Sequence, residues 1–192
     1  MSPKKYESIS DPERIRAMAH PLRLELLDVL HEVGEATATE CAARVGESVA
    51  SCSFHLRTLE KYGYVERAEP RGREKPWRVV HRSLRTEPAP DVPGSLHATT
   101  ELARMSFGRQ AERLAAALDH LPREPQEWLD ATALITSTVW ATAEEAADLA
   151  RGIKELLDGL AEREDDPASR PAGVRRVRLL SAVYADPPSE IP

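Results

Sequence analysis

Two helix signals stand only about three residues apart between Thr37 and Gly63, and no other feature of this sequence limits the fold so tightly. Thr37-Ala38-Thr39-Glu40 matches a capping box, in which the threonine oxygen and the glutamate satisfy amides that the first helical turn leaves open. The helix it opens stops at Gly46. Ser48 caps the next helix, whose apolar positions Cys52, Leu56, Leu59 and Tyr62 recur at helical spacing before Gly63 ends it. A turn of about three residues between two helices is the defining geometry of a helix-turn-helix.

The flanking sequence extends this helix-turn-helix in both directions. Asp11 precedes Pro12 at a helix start, and Ile15, Met18 and Ala19 follow at helical spacing. His20-Pro21 breaks that helix, because a residue before proline avoids the helical region; Leu22, Leu26, Leu27, Leu30 and Val33 then form a stripe that ends at Gly34. After Gly63, the residues Tyr64–Ala68 read as a strand, Glu69–Pro76 as a turn and Trp77–Arg82 as an antiparallel partner. That hairpin is a wing.

Charge separates the two halves of the chain. The 192 residues carry a net charge of -6. Residues 1–86 hold 15 Lys and Arg against 13 Asp and Glu, a net of +2, whereas residues 87–192 hold 11 against 19, a net of -8. From Arg67 to Arg85 the basic residues Arg67, Arg71, Arg73, Lys75, Arg78, Arg82 and Arg85 oppose only Glu69 and Glu74. Such an excess on an otherwise acidic chain fits a phosphate footprint, and it equally fits a charged hairpin edge that resists aggregation.

Thr86 to Ser95 contains three prolines and a glycine, which exclude regular structure. We therefore expect a DNA-binding domain over residues 1–86, a linker over 87–94 and a second domain over 95–192. In the second domain, residues 95–121 read as one amphipathic helix with Leu102, Met105, Leu114, Leu118 and Leu121 along a stripe suited to dimerisation. Residues 133–140 and 174–184 are rich in β-branched and aliphatic residues and read as strands. Between them a capping box, Thr142-Ala143-Glu144-Glu145, opens a helix near 143–162. Trp128, Trp140, Met105 and Phe107 fit plain core better than a ligand pocket. Arg175, Arg176 and Arg178 fit a solvated edge, an anionic ligand or a neighbouring acidic helix. The loop over 164–173 and a frayed proline-rich tail from Asp186 complete the reading.

Three separated motifs, Ala19-His20-Pro21-Leu22-Arg23-Leu24-Glu25-Leu26-Leu27, Ser53-Phe54-His55-Leu56-Arg57-Thr58-Leu59 and Gly63-Tyr64-Val65, occur in order over residues 9–85. Through them the chain resembles the ArsR-type winged helix-turn-helix regulators of bacteria, with a C-terminal extension like those on some actinobacterial relatives. The resemblance implies a homodimer that places two recognition helices in successive major grooves of a two-fold-symmetric operator, with the wings on flanking backbone or minor groove. Members of this family often sense metals through paired cysteines at the start of the third helix. By spacing, Thr37 and Thr39 stand there instead, so no metal site is expected.

Off the buried stripe of the helix after Ser48 lie Val49, Ala50, Ser51, Ser53, Phe54, Arg57 and Lys61. Ser51, Ser53 and Phe54 suit base edges, since a hydroxyl serves most bases and a ring can contact a thymine methyl. Ser48, Arg57 and Lys61 suit phosphates, as do Arg71, Arg73 and Lys75 of the wing. His55 has two readings of equal weight: a DNA contact, or packing within the domain beneath the helix. Cys41 and Cys52 read as small buried hydrophobes.

The fold class expected is mainly α with small β: an N-terminal winged helix-turn-helix plus a C-terminal α+β dimerisation or effector region. The function expected is sequence-specific binding of double-stranded DNA as a homodimer on an inverted repeat, with repression as the family's usual mode. A winged-helix interaction module without specific DNA binding is the alternative. No glycine-rich phosphate loop, His-Glu-x-x-His or Gly-x-Ser-x-Gly is present, and about 100 residues after the linker are too few for a doubly wound cofactor domain, so neither an enzyme nor a cofactor is expected. With no apolar run of membrane-spanning or signal-peptide length, the expected address is cytoplasmic. An effector role for the C-terminal region stays open.

Overall fold

The computed structural model describes residues 7–81, 84–86, 89–159 and 171–187 of the chain. The expectations for Arg82, the loop at 164–170 and most of the tail fall outside the described residues. Two compact units divide the chain, Met1–Gly108 and Arg109–Pro192.

The first unit begins with β1 (Glu7–Ile9), α1 (Pro12–Met18) and α2 (Pro21–Val33). The Asp11 carboxylate accepts from the Glu13 amide at the start of α1. His20, in extended backbone at φ -154° and ψ 133°, caps α2 by accepting the Leu22 amide on Nδ1. β2 (Glu35–Ala36) follows Gly34, then α3 (Ala38–Val45) and α4 (Val49–Lys61). The capping box on α3 is complete: Glu40 N–H donates to Thr37 Oγ1 at 3.1 Å and Thr37 N–H to the Glu40 carboxylate at 2.6 Å. Gly46 takes the left-handed conformation, φ 73°, that ends α3.

Two short antiparallel strands, β3 (Val65–Arg67) and β4 (Trp77–Val79), form the expected wing in register Glu66 to Arg78, and β2 adds a third strand on the other side of β4. A separate parallel pair joins β1 to β5 (Leu84–Thr86). Neither β1 nor β2 was legible in the sequence, because strands of three and two residues carry too little alternation to show a period.

One buried cluster holds this unit together. Ile15, Leu26, Leu30, Cys41, Cys52, Leu56, Leu59, Tyr64 and Trp77 all lie within it, so α1 to α4 and the sheet share a single core. The long helix α5 (Ser95–His120) starts in the same unit: Ala98 and Leu102 join the cluster, and buried Ser95 donates its hydroxyl to the Ser10 carbonyl and accepts from the Ala89 amide. The compact first unit thus continues past the proline-rich stretch into α5.

α5 buries Ser95, Ala98 and Leu102, whereas Leu114 and Leu118 of the expected stripe are exposed. A 3₁₀ turn (Leu121–Arg123), α6 (Gln126–Asp130) and α7 (Ala143–Asp158) follow, with the second capping box at Thr142 and Glu145 formed. The expected strands at 133–140 and 174–184 are a correction: among the described residues both segments lie outside any sheet. Side chains there are exposed throughout, and β-propensity becomes a strand only where a neighbour supplies the ladder and a surface to pack on. Trp140 is fully exposed, neither core nor pocket lining.

Candidate nucleic-acid interface

The turn Gly46-Glu47-Ser48 sets α4 across α3, and burial of Cys52, Leu56 and Leu59 fixes which face of α4 turns inward. The opposite face is then determined by helical geometry. Val49, Ala50, Phe54, Arg57 and Lys61 are exposed on it, with Phe54 at 60 % exposure, while Ser51 and Ser53 are half-buried. Phe54 is the one aromatic ring on this face, and its edge meets the His55 ring.

Several of the nominated polar groups have local tasks. Ser48 Oγ accepts the Ser51 amide at 3.1 Å, which leaves its hydroxyl hydrogen to donate outward. Arg57 Nε donates to the Ser53 carbonyl at 3.2 Å, and Lys61 sits over the Tyr62 ring at 5.3 Å. These contacts engage Arg57 Nε and the Lys61 ammonium locally.

His55 is held inside the domain. It is half-buried, its ring 4.3 Å from that of His20 at the start of α2 and 5.2 Å from Phe54 in an edge-on contact. His20 and His55 both have their pKa lowered. Burial is the main cause for each; for His20 Arg23 adds to it, and for His55 the neighbouring His20 and Arg23 do, against a small opposing pull from Glu47. Both histidines therefore favour the neutral form, which the Nδ1 acceptor role of His20 requires. Sequence reading did not single out the His20 ring as a support of α4; the only available hint was the break at His20-Pro21.

The wing is built by charge and stacking. Arg67 lies over the Trp77 ring at 3.4 Å and donates to the Lys75 carbonyl, and Arg78 pairs with Glu66 across the strands at 2.8 Å. Its tip is closed by reciprocal backbone bonds between Arg71 and Glu74, with Gly72 at φ 65° where the tight turn needs a positive φ. Arg71 reaches back to the Glu35 carbonyl at 3.1 Å and lies 3.8 Å from Glu40, so it braces the wing against β2 and α3. Arg73 and Lys75 are exposed at the tip. The structure thus places these residues on α4 and the wing of one unit, with Ser48, His55, Arg57, Lys61 and Arg71 carrying internal contacts as well.

Cys41 and Cys52 are buried as expected, and burial, with Cys52 and Glu40 adding to it, pushes the Cys41 thiol up to about 11. Thiols in this state are protonated and poor ligands. Among the described residues no group of three or more His, Cys, Asp or Glu is placed to hold a metal ion, and no helix is long and apolar enough to cross a membrane.

No curated protein matches the chain in sequence. Among solved structures it is similar to reduced HlyU from Vibrio cholerae (24 % identity, 35 % of this chain and 72 % of that one, TM-score 0.32). It is also similar to a possible transcriptional regulator for arsenical resistance (26 %, 54 % and 94 %, TM-score 0.32). A third is the homodimeric winged helix-turn-helix DNA-binding domain of Mb0332 from Mycobacterium bovis (22 %, 53 % and 82 %, TM-score 0.35). Residues 18–67 match the family model of a helix-turn-helix domain. That span runs from the end of α1 through β3, and the strands at 65–67 and 77–79 complete it, so the chain carries a winged helix-turn-helix domain, the architecture of DNA-binding transcription regulators and the one its ArsR-type motifs imply.

Proposed function

We propose that this chain is a sequence-specific transcription regulator that binds an inverted-repeat DNA operator as a homodimer and represses. The observation that carries this reading is the exposed face of α4, with Phe54, Arg57 and Lys61 outward, beside a wing tip bearing Arg73 and Lys75. α4 enters the major groove. Ala50, Ser51, Ser53 and Phe54 meet base edges, while Ser48, Arg57 and Lys61 meet phosphates; Arg71, Arg73 and Lys75 of the wing follow the flanking backbone. His55 acts mainly from below, by holding the helix against α2, and residues 95–192 serve dimerisation or effector response. The proposed setting is the cytoplasm, and no catalytic step is assigned to any residue.

The second reading, a winged helix that binds proteins only, is favoured by the internal partners of Arg71. A mobility-shift experiment separates the two. The full chain at low salt should retard random-sequence duplex DNA, and the apparent affinity should fall steeply and linearly on a log scale as salt rises. Failure to retard any duplex at low salt would leave the protein-binding reading standing.

A further inference from the structure

α4 carries the proposed base contacts, and a titratable side chain joins its middle to α2. The His55 ring lies 4.3 Å from the His20 ring, with the two planes 35° apart, and both residues are half-buried. His20 Nδ1 accepts the Leu22 amide at 3.2 Å, so the ring that caps α2 carries no proton on that nitrogen. His55 Nδ1 is buried and has no hydrogen-bond partner among the described residues, and the same holds for Arg23 Nε on the first turn of α2.

The charges around this contact are one-sided. Burial favours the neutral form of both rings; Arg23 adds to it for His20, and His20 and Arg23 add to it for His55. Arg23 itself donates to the Arg16 carbonyl in the last turn of α1 at 3.4 Å, and its own charge is opposed by burial and favoured by Tyr62 at the end of α4. Glu47, exposed in the turn before α4, pulls on His55 in the opposite sense. A protonated ring is a donor at both nitrogens. On His20 that removes the acceptor for the Leu22 amide, and on His55 it leaves a buried N–H without an acceptor, in either case with a cation beside the other ring and the Arg23 guanidinium.

We propose that the contact between His20 and His55 is a proton-operated seat for α4, closed while both rings are neutral and opened when either takes up a proton, so that acid releases DNA. This rests on the DNA-binding reading of α4 and adds a regulation to it. Opening the seat lowers the fraction of the chain in which α4 is placed for the groove, and the apparent affinity falls with that fraction. The direction is diagnostic. His31, His81, His97 and His120 also gain charge in acid, and added cations by themselves tighten a protein on a polyanion.

The test uses a duplex recovered from a random pool by the full chain at pH 7.5, titrated in mobility shifts at fixed ionic strength from pH 7.5 to 5.5, a range over which ordinary carboxylates stay ionised. The wild type should bind about fivefold more weakly at pH 5.5. His20→Asn keeps a side-chain cap on α2, and His55→Phe keeps a ring against His20 while leaving no nitrogen unsatisfied; each should lose most of the pH dependence or reverse it. Wild-type binding that is unchanged or tighter at pH 5.5 would overturn the proposal, as would an undiminished loss in both variants. Hydrogen exchange on the wild-type chain needs no substitution. Corrected for the intrinsic effect of pH, the amides of α4 should lose protection toward pH 5.5 while those of residues 26–33 in α2 keep theirs, and equal changes in the two helices would contradict the seat. Recovery of no enriched duplex at pH 7.5 sinks the sequence-specific reading and this proposal together, whereas an enriched duplex held equally well at every pH sinks this proposal alone.

Discussion

The two compact units draw on similar apolar material and end in opposite states. In the first, leucines at helical spacing on α2 and α4 share a buried cluster with Trp77 of the sheet and Tyr64 just before β3. In the second, leucines at the same spacing on α7 face outward, and Trp140 is fully exposed. Periodicity therefore says which side of a helix seeks a partner, and not whether the partner belongs to the same chain. The first unit is a finished core; among the described residues of the second, none is buried.

Core truncation should separate the units most sharply. Trp77→Ala, at the centre of the buried cluster, should cost ~3–5 kcal/mol, and its melting temperature should fall by the same amount at every protein concentration. Leu156→Ala, at an exposed position of α7, should change stability by no more than ~0.5 kcal/mol. Thermal unfolding across a hundredfold range of concentration checks both, and equal losses would erase the distinction between the units.

The next largest effect divides the outer face of the first unit. Phe54→Ala should change base preference by ~1–3 kcal/mol at one operator position. Arg73→Ala with Lys75→Ala should weaken all duplexes alike and reduce the salt slope by about one for each phosphate no longer neutralised. Binding isotherms on operator and scrambled DNA at several salt concentrations distinguish these. A specificity change from the wing variant would reverse the roles.

Acid should loosen the support of α4 before the rest of the core. His20 and His55 have folded pKa values held below the ordinary 6.5, so they contribute stability above that pH that is lost as pH falls through their depressed folded values. His20→Asn keeps a cap on α2 while removing one titrating ring, and its stability should depend less on pH across this acid range than that of the wild type. Denaturant midpoints measured from pH 7.5 down to 5 check the slope.

What the sequence revealed follows from how local each feature is. The caps at Thr37, Ser48 and Thr142, the turn before α4 and the wing hairpin depend on neighbours within a few residues, and the structure forms all of them. β1 pairing with β5 depends on residues far apart in the chain and gives no local signal. The same holds for the His20 contact to His55, which joins the start of α2 to the middle of α4. Residues 133–140 and 174–184 have the composition of strands, yet composition cannot provide the second edge that a ladder requires.

The central claim is that α4 and the wing of this chain read a two-fold-symmetric DNA sequence. Selection of bound duplexes from a random pool by the full chain tests it most directly. The account expects an inverted repeat whose half-site centres lie about 10 bp or a small multiple apart. Recovery of sequences with no two-fold symmetry, or of no enriched sequence at all, would contradict it.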